Sequence, residues 1–236
     1  MDAIITTLSE RLTKLLEQNP PSSHRRLLIA LAGTPGSGKS TISAALAQTC
    51  KANGTGNIAI LPMDGFHYPK SQLLKLEISG VENVLRRRGA PFTFNAEAFI
   101  DLVKRLRQTP VTDTDNPSLS FHAPSFDHKI KDPIENDIYI PSSQRIIILE
   151  GNYLLLDEHP WNEIQDLVDE TWFVSISRET AKKRLIKRHI MAGIESTIEA
   201  AAVRVEDNDL LNGDLITRKM ISPDVVVEST GFENLT

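Results

Sequence analysis

The sequence holds a single cysteine, Cys50, so no internal disulfide can form, and a reducing, cytoplasmic setting fits it. No stretch reaches the apolar length of a membrane span, and no membrane partner is expected. The first 18 residues carry Asp2, Glu10 and Glu17, unlike a secretory signal or an Arg-rich transit peptide. Excess positive charge is missing as well. With 26 Lys and Arg against 31 Asp and Glu, the net charge of −5 offers no basic field for nucleic acid. What remains is 236 residues of ordinary globular composition, 40% hydrophobic and 24% charged, enough for one α/β domain with its own core.

Glycine is sparse, yet three of the 12 fall between positions 33 and 38. The apolar run from Leu27 to Ala32 leads into Gly33-Thr34-Pro35-Gly36-Ser37-Gly38-Lys39-Ser40-Thr41, and a helix-forming stretch follows. This is a phosphate-binding loop in a strand–loop–helix setting. The glycines let successive backbone N–H groups point into one concave nest at the positive end of a helix. Lys39 adds a full charge toward the β- and γ-phosphates, and the Ser40 hydroxyl is a Mg²⁺ ligand candidate. All nine residues, Gly33 through Thr41, are candidate nucleotide contacts.

Further strands are expected at 58–62, 145–150, 171–176 and 224–227, with helices at 3–18, 95–108, 179–192 and 195–207. Strands alternating with helices predict a doubly wound, five-stranded, mainly parallel sheet of the P-loop NTPase type. We expect one domain over 1–236, with an N-terminal helix within 1–20 that ends at Asn19-Pro20-Pro21. Residues 64–144 exceed what the sheet needs. Their second half, Pro110 to Ser143, is rich in Pro, Asp, Asn, Ser and His and reads either as a solvated loop or, given Phe121, Phe126 and Tyr139, as partly ordered structure over a cleft.

In an open parallel sheet the carboxyl ends of the strands face the ligand. Asp64 stands at such an end, suited to accept a hydroxyl proton or to hold a metal through water, although Asp-Gly is also a common turn pair. Glu150 ends an apolar strand next to the loop strand, the position of an acid near Mg²⁺. Arg184 and Arg188 share a helix face ahead of Gly193, as a lid over 178–194 closing on phosphate requires, while a solvated charged face is the alternative. Arg86-Arg87-Arg88 reads as an anion-binding cluster or as plain surface.

With these residues the chain resembles the phosphoribulokinase/uridine kinase/bacterial pantothenate kinase group of P-loop kinases. The resemblance rests on Gly33–Thr41, Asp64-Gly65-Phe66-His67-Tyr68, Pro124-Ser125-Phe126-Asp127-His128, Leu149-Glu150-Gly151-Asn152-Tyr153 and the Arg184/Arg188 segment, spread over about 27–228. Within the group, Arg87-Arg88-Gly89-Ala90-Pro91-Phe92-Thr93-Phe94 and Met63-Asp64-Gly65-Phe66-His67 are most similar to a uridine kinase-like branch of sugar- or nucleoside-type kinases. The resemblance implies ATP with Mg²⁺ and a small-molecule acceptor; it leaves homodimerisation open. It implies Asp64 as base, Lys39, Arg184 and Arg188 as the other catalytic groups, and Ser40 and Glu150 at the metal. An acceptor pocket would be lined by His67, Tyr68, Arg87, Arg88, Phe126, Asp127, His128 and Tyr153. It implies also that Asn208 to Pro223 packs by the adenine. Departures occur: uridine kinases carry Asp-Ser-Phe-Tyr and Tyr-Asp-Phe where this chain has Asp-Gly-Phe-His-Tyr and Phe-Asp-His. A nucleoside, a sugar and a pantothenate-like alcohol all stay open as acceptors. A regulatory or assembly NTPase and an inert nucleotide-binding module are the rival classes.

Overall fold

The computed structural model describes residues 1–80 and 82–229. Strand β1 (Leu27–Gly33) is buried along its whole length. It pairs in parallel with β5 (Ile146–Gly151) on one side and β6 (Glu170–Ser175) on the other. Adding β2 (Ile58–Pro62) and β7 (Val225–Glu228) completes a five-stranded parallel sheet in the order β2-β5-β1-β6-β7. The continuous apolar runs of β1 and β5 have the reason expected of them: both faces are covered.

Odd and even positions of β1 divide between two cores. Leu27, Ile29 and Leu31 join Ile148, Trp172 and Val174 beneath α1 (Asp2–Gln18) and α2 (Lys39–Ala52), which supply Leu8, Leu12, Ile42, Leu46 and Cys50. Leu28, Ala30 and Ala32 face the opposite core, where α4 (Ala96–Gln108) buries Phe99, Ile100, Val103 and Leu106. The buried Arg26 guanidinium ties this second layer down, donating to the carbonyls of Leu106 (3.1 Å), Thr109 (2.7 Å) and Ser142 (3.1 Å). Those acceptors include the last carbonyls of α4, where positive charge is favourable. No helix among the described residues is long and apolar enough to cross a membrane.

Two parts differ from the sequence expectation. A short helix, α3 (Lys70–Ile78), follows β2, and the stretch after α4, open between a solvated loop and partly ordered structure, is ordered as an antiparallel hairpin, β3 (Phe121–Asp127) with β4 (Asp132–Ile140). The hairpin is amphipathic only in part. Phe121, Ala123 and Ile140 are buried, whereas Glu135, Asn136 and Asp137 face solvent, and a bulge between Ala123 and Ser125 breaks the alternation. Polar composition therefore marked an exposed ribbon rather than an absence of structure.

The other difference lies after α5 (Arg178–Met191). The helix expected at 195–207 begins as α6 (Ile198–Arg204), widens into a π-helical segment at Val205–Leu210, and runs on as α7 (Leu211–Lys219).

Candidate active site

The loop after β1 is shaped by backbone conformations that glycine supplies. Gly36 and Gly38 sit at φ +80° and +91°, in the left-handed region, and Ser37 N–H closes the turn onto the Thr34 carbonyl at 3.1 Å. Gly38 is the residue from which α2 starts, so the N–H groups of that helix end open toward the loop.

Lys39 is buried, and its ammonium donates to Asn152 Oδ1 at 2.6 Å and more weakly to the Thr34 carbonyl at 3.4 Å. Burial pushes it below the ordinary lysine range; Glu150 and Asp64 oppose that shift and Arg188 adds to it. The charges of Glu150, Asp64 and Arg188 thus all act on this ammonium at the carboxyl edge of the sheet. Ser40 Oγ donates to Glu150 Oε1 at 3.0 Å. The register that sets Leu31 beside Glu150 and Ala32 beside Gly151 brings this acid level with the loop. Burial also raises the Glu150 carboxyl above its usual range, against the pull of Lys39.

Asp64 lies in a turn of 3-10 helix, Met63–Phe66, directly after β2. Gly65 beside it is forced by the hairpin, since a Cβ there would lie 2.0 Å from the Pro124 carbonyl oxygen. Next comes His67, whose Nδ1 carries the proton it donates to the Asp64 carbonyl at 2.9 Å. Its ring packs on Phe94 (3.9 Å between centroids) and Phe126 (5.0 Å). Burial lowers the His67 pKa, with Asp64 opposing, so the ring stays neutral at pH 7. Tyr68 is half-buried, its hydroxyl pKa raised by burial, and its N–H donates to the Thr93 carbonyl at 2.9 Å.

The other expected acceptor residues divide by what they touch. Arg88 donates to the carbonyls of Lys131 (2.5 Å) and Tyr68 (3.0 Å) and pairs with Asp132 (2.8 Å), over the Phe126 ring. It fastens the hairpin tip to the body. Asp127 accepts from the N–H groups of Lys129 (2.6 Å) and Ile130 (3.2 Å), so its carboxylate shapes the hairpin turn, and those bonds hold its pKa down. Tyr153 is fully buried and donates to the Gly89 carbonyl at 2.5 Å. His128 is exposed at the tip beside Phe126. Arg87 is half-buried, with Nε donating to Asn208 Oδ1 at 3.3 Å.

On α5, Arg184 donates to the Gly36 carbonyl (3.4 Å) and to Ser229 Oγ (3.0 Å). Ala181 and Leu185 press on the same turn of the loop, so this half of the helix is seated against it rather than swung out. Arg188, one turn on, is exposed. Gly193 follows in a left-handed conformation at φ +58°.

Two residues were not assigned from sequence. Asn152 holds Lys39; its position two residues beyond the strand-end acid was a usable signal. Asn208, buried in the π-helical segment, donates to the Arg88 carbonyl at 3.1 Å as well as accepting from Arg87. Its neighbours reach α5 and the arginine segment: Glu206 pairs with Arg178 and Lys182, Asp209 with buried His189, and Asp207 with Arg86. Gly213, one turn further, lies against Thr34 and Pro35. The stretch from Asn208 therefore meets the arginine loop and the phosphate loop together.

Among known proteins, residues 28–235 match the profile of the "Phosphoribulokinase / Uridine kinase family". "Putative uridine kinase C227.14" of Schizosaccharomyces pombe is 38% identical over 205 residues, covering 86% of this chain and 83% of that one. "ATP-dependent kinase-like protein notR'" of Aspergillus versicolor is 43% identical over 159 residues, covering 67% and 89%. A "putative fructose transport system kinase" from Silicibacter sp. TM1040, a solved structure, superposes with a TM-score of 0.79 at 30% identity, covering 93% of this chain and 98% of that one.

Proposed function

The chain belongs to the phosphoribulokinase/uridine kinase family of ATP-dependent P-loop kinases, and from that premise we propose that it transfers the γ-phosphoryl group of ATP, with Mg²⁺, to a hydroxyl of a small molecule. Candidate acceptors are a nucleoside, a sugar or a pantothenate-like alcohol, and the setting is the cytoplasm. The observation that carries this reading is the buried Lys39 ammonium, held by Asn152 in the phosphate loop beside the hydrogen-bonded Ser40–Glu150 pair at the end of the sheet.

The loop amides and Lys39 would hold the β- and γ-phosphates. Ser40 and Glu150 are hard oxygen donors that already touch, at 3.0 Å, and they suit Mg²⁺. The ion neutralises charge on the β- and γ-phosphates when bound. Asp64 would accept the acceptor's hydroxyl proton as the oxygen attacks. Arg184, fixed on the loop, and Arg188 would face the charge that develops on the transferred group. The stretch 64–144 would supply the acceptor wall and residues 178–194 the lid.

Acceptor-dependent ADP release across a panel of nucleosides, sugars and vitamin-like alcohols tests this. Asp64→Asn should lower turnover by roughly 10²–10⁴-fold while ATP still binds. Unchanged turnover in that variant would remove Asp64 as the base. ATP hydrolysis indifferent to every acceptor but stimulated by a macromolecule would overturn the kinase reading in favour of a switch.

A further inference from the structure

The three consecutive arginines of the 86–88 segment have unequal fates. Arg86 is more than half exposed and pairs with Asp207. Arg88 is spent on Asp132 and two carbonyls at the hairpin tip. Arg87 alone has no carboxylate within ion-pair distance among the described residues, and only its Nε is hydrogen-bonded.

That guanidinium is nonetheless held in place. Asn208 is 3% exposed, and its amide is oriented by donating to the Arg88 carbonyl, so its oxygen faces Arg87 Nε. Fixing Nε leaves the two terminal nitrogens as a planar fork, the shape that takes a carboxylate or phosphate edge-on. Arg87 also lies on the acceptor side of the site. Its charge, with those of Asp209 and Asp64, acts on the buried Tyr153 hydroxyl, which is bonded to Gly89 two residues further along the same loop. A half-buried cation without a counter-ion is unfavourable in the free protein, and an anionic ligand relieves it.

We propose that Arg87 recognises an anionic group on the acceptor, so that the substrate is an alcohol bearing a carboxylate or a phosphate rather than a neutral nucleoside or sugar. This rests on the kinase reading above and narrows it. A neutral polyol would leave the Arg87 charge unmatched, whereas an anionic alcohol pairs one end with Arg87 and presents its hydroxyl to Asp64.

The test uses matched pairs: glycerate against glycerol, gluconate against glucose, pantothenate against pantothenol, ribose 5-phosphate against ribose, and uridine as the neutral nucleoside. ADP release is expected with at least one anionic member, at a kcat/KM about 10²-fold or more above its neutral partner. Arg87→Gln should raise the KM for that acceptor at least tenfold and leave the KM for ATP unchanged. Arg87→Lys should recover part of the loss, and Arg86→Gln should have little effect. Which pair responds separates carboxylate from phosphate. Equal use of charged and neutral partners, or an Arg87→Gln enzyme with unaltered acceptor KM, overturns the proposal while the kinase reading stands.

A binding measurement keeps the question open to refutation even if no acceptor in the panel is turned over. With Mg²⁺ and a non-hydrolysable ATP analogue filling the phosphate loop, inorganic phosphate and acetate are titrated by calorimetry. Millimolar binding of one of them, lost in Arg87→Gln and kept in Arg86→Gln, is the expected result. Equal binding by wild type and Arg87→Gln, or none by either, overturns the anion site. Probe binding of the expected kind without acceptor-dependent ADP release from any pair would count against the kinase reading instead.

Discussion

The phosphate loop and the proposed acceptor wall are built in opposite ways. Nine consecutive residues, Gly33–Thr41, make the first, held between a buried strand and the helix it feeds. The second would be assembled from the turn after β2, the Arg87–Gly89 segment, the hairpin, the end of β5 and the π-helical stretch, which single side-chain bonds such as those of Arg88, Tyr153 and Asn208 join. A site that is local in sequence depends on backbone geometry and tolerates change around it. A site made of distant segments depends on a few tethers, and each tether is a point at which its shape can be altered without disturbing the nucleotide.

That contrast can be broken by substitution. Lys39→Met strikes the local site. Turnover should fall by about 10²–10³-fold with cooperative unfolding retained, because one preorganised positive donor is lost and an apolar side chain fills its place. Steady-state kinetics beside a urea titration checks it; a collapse of stability would mean that the loop and the fold are not separable. Arg88→Ala strikes a tether, leaving the Lys131 and Tyr68 carbonyls unpaired and Asp132 with only the Lys70 N–H. It should cost about 2 kcal/mol, or ~4–8 °C in Tm, and raise the acceptor KM while ATP affinity holds. Lost ATP binding in that variant would show the two regions to be coupled.

The smallest effect concerns pH. Since burial lowers the folded-state pKa of His67 below its ordinary 6.5, the unfolded chain binds the proton first. This contribution is constant above that value and destabilises as pH falls through the window beneath it, down to the folded pKa. His67→Gln should therefore lose less stability than wild type between pH 7 and 5, measured by urea midpoints. Parallel curves would mean that the ring protonates as easily in the folded protein.

The same contrast explains what the sequence disclosed. Parallel strands buried on both faces announce themselves as apolar runs, and the loop's glycines and lysine serve a purpose that nine residues express fully. Asp64 and Glu150 were legible because each ends a recognisable strand. The hairpin was not, because its exposed face carries the same residues as a solvated loop. The division of labour among Arg86, Arg87 and Arg88 was invisible too: it depends on Asp132, Asp207 and Asn208, between 44 and 121 positions away in sequence. Tyr153 read as a pocket residue, yet its hydroxyl is engaged with Gly89.

A π-helical turn is an α-helix carrying one residue too many. Val205–Leu210 therefore has the form of an insertion tolerated inside an existing helix, and it sets the phase of everything on either side. Restoring the α ladder with the same number of residues would turn the downstream face by about 100° relative to the upstream one. Asn208 and Gly213 would then no longer face the arginine loop and the phosphate loop together. The two halves of the site are kept in step by a count of residues as much as by any bond between them.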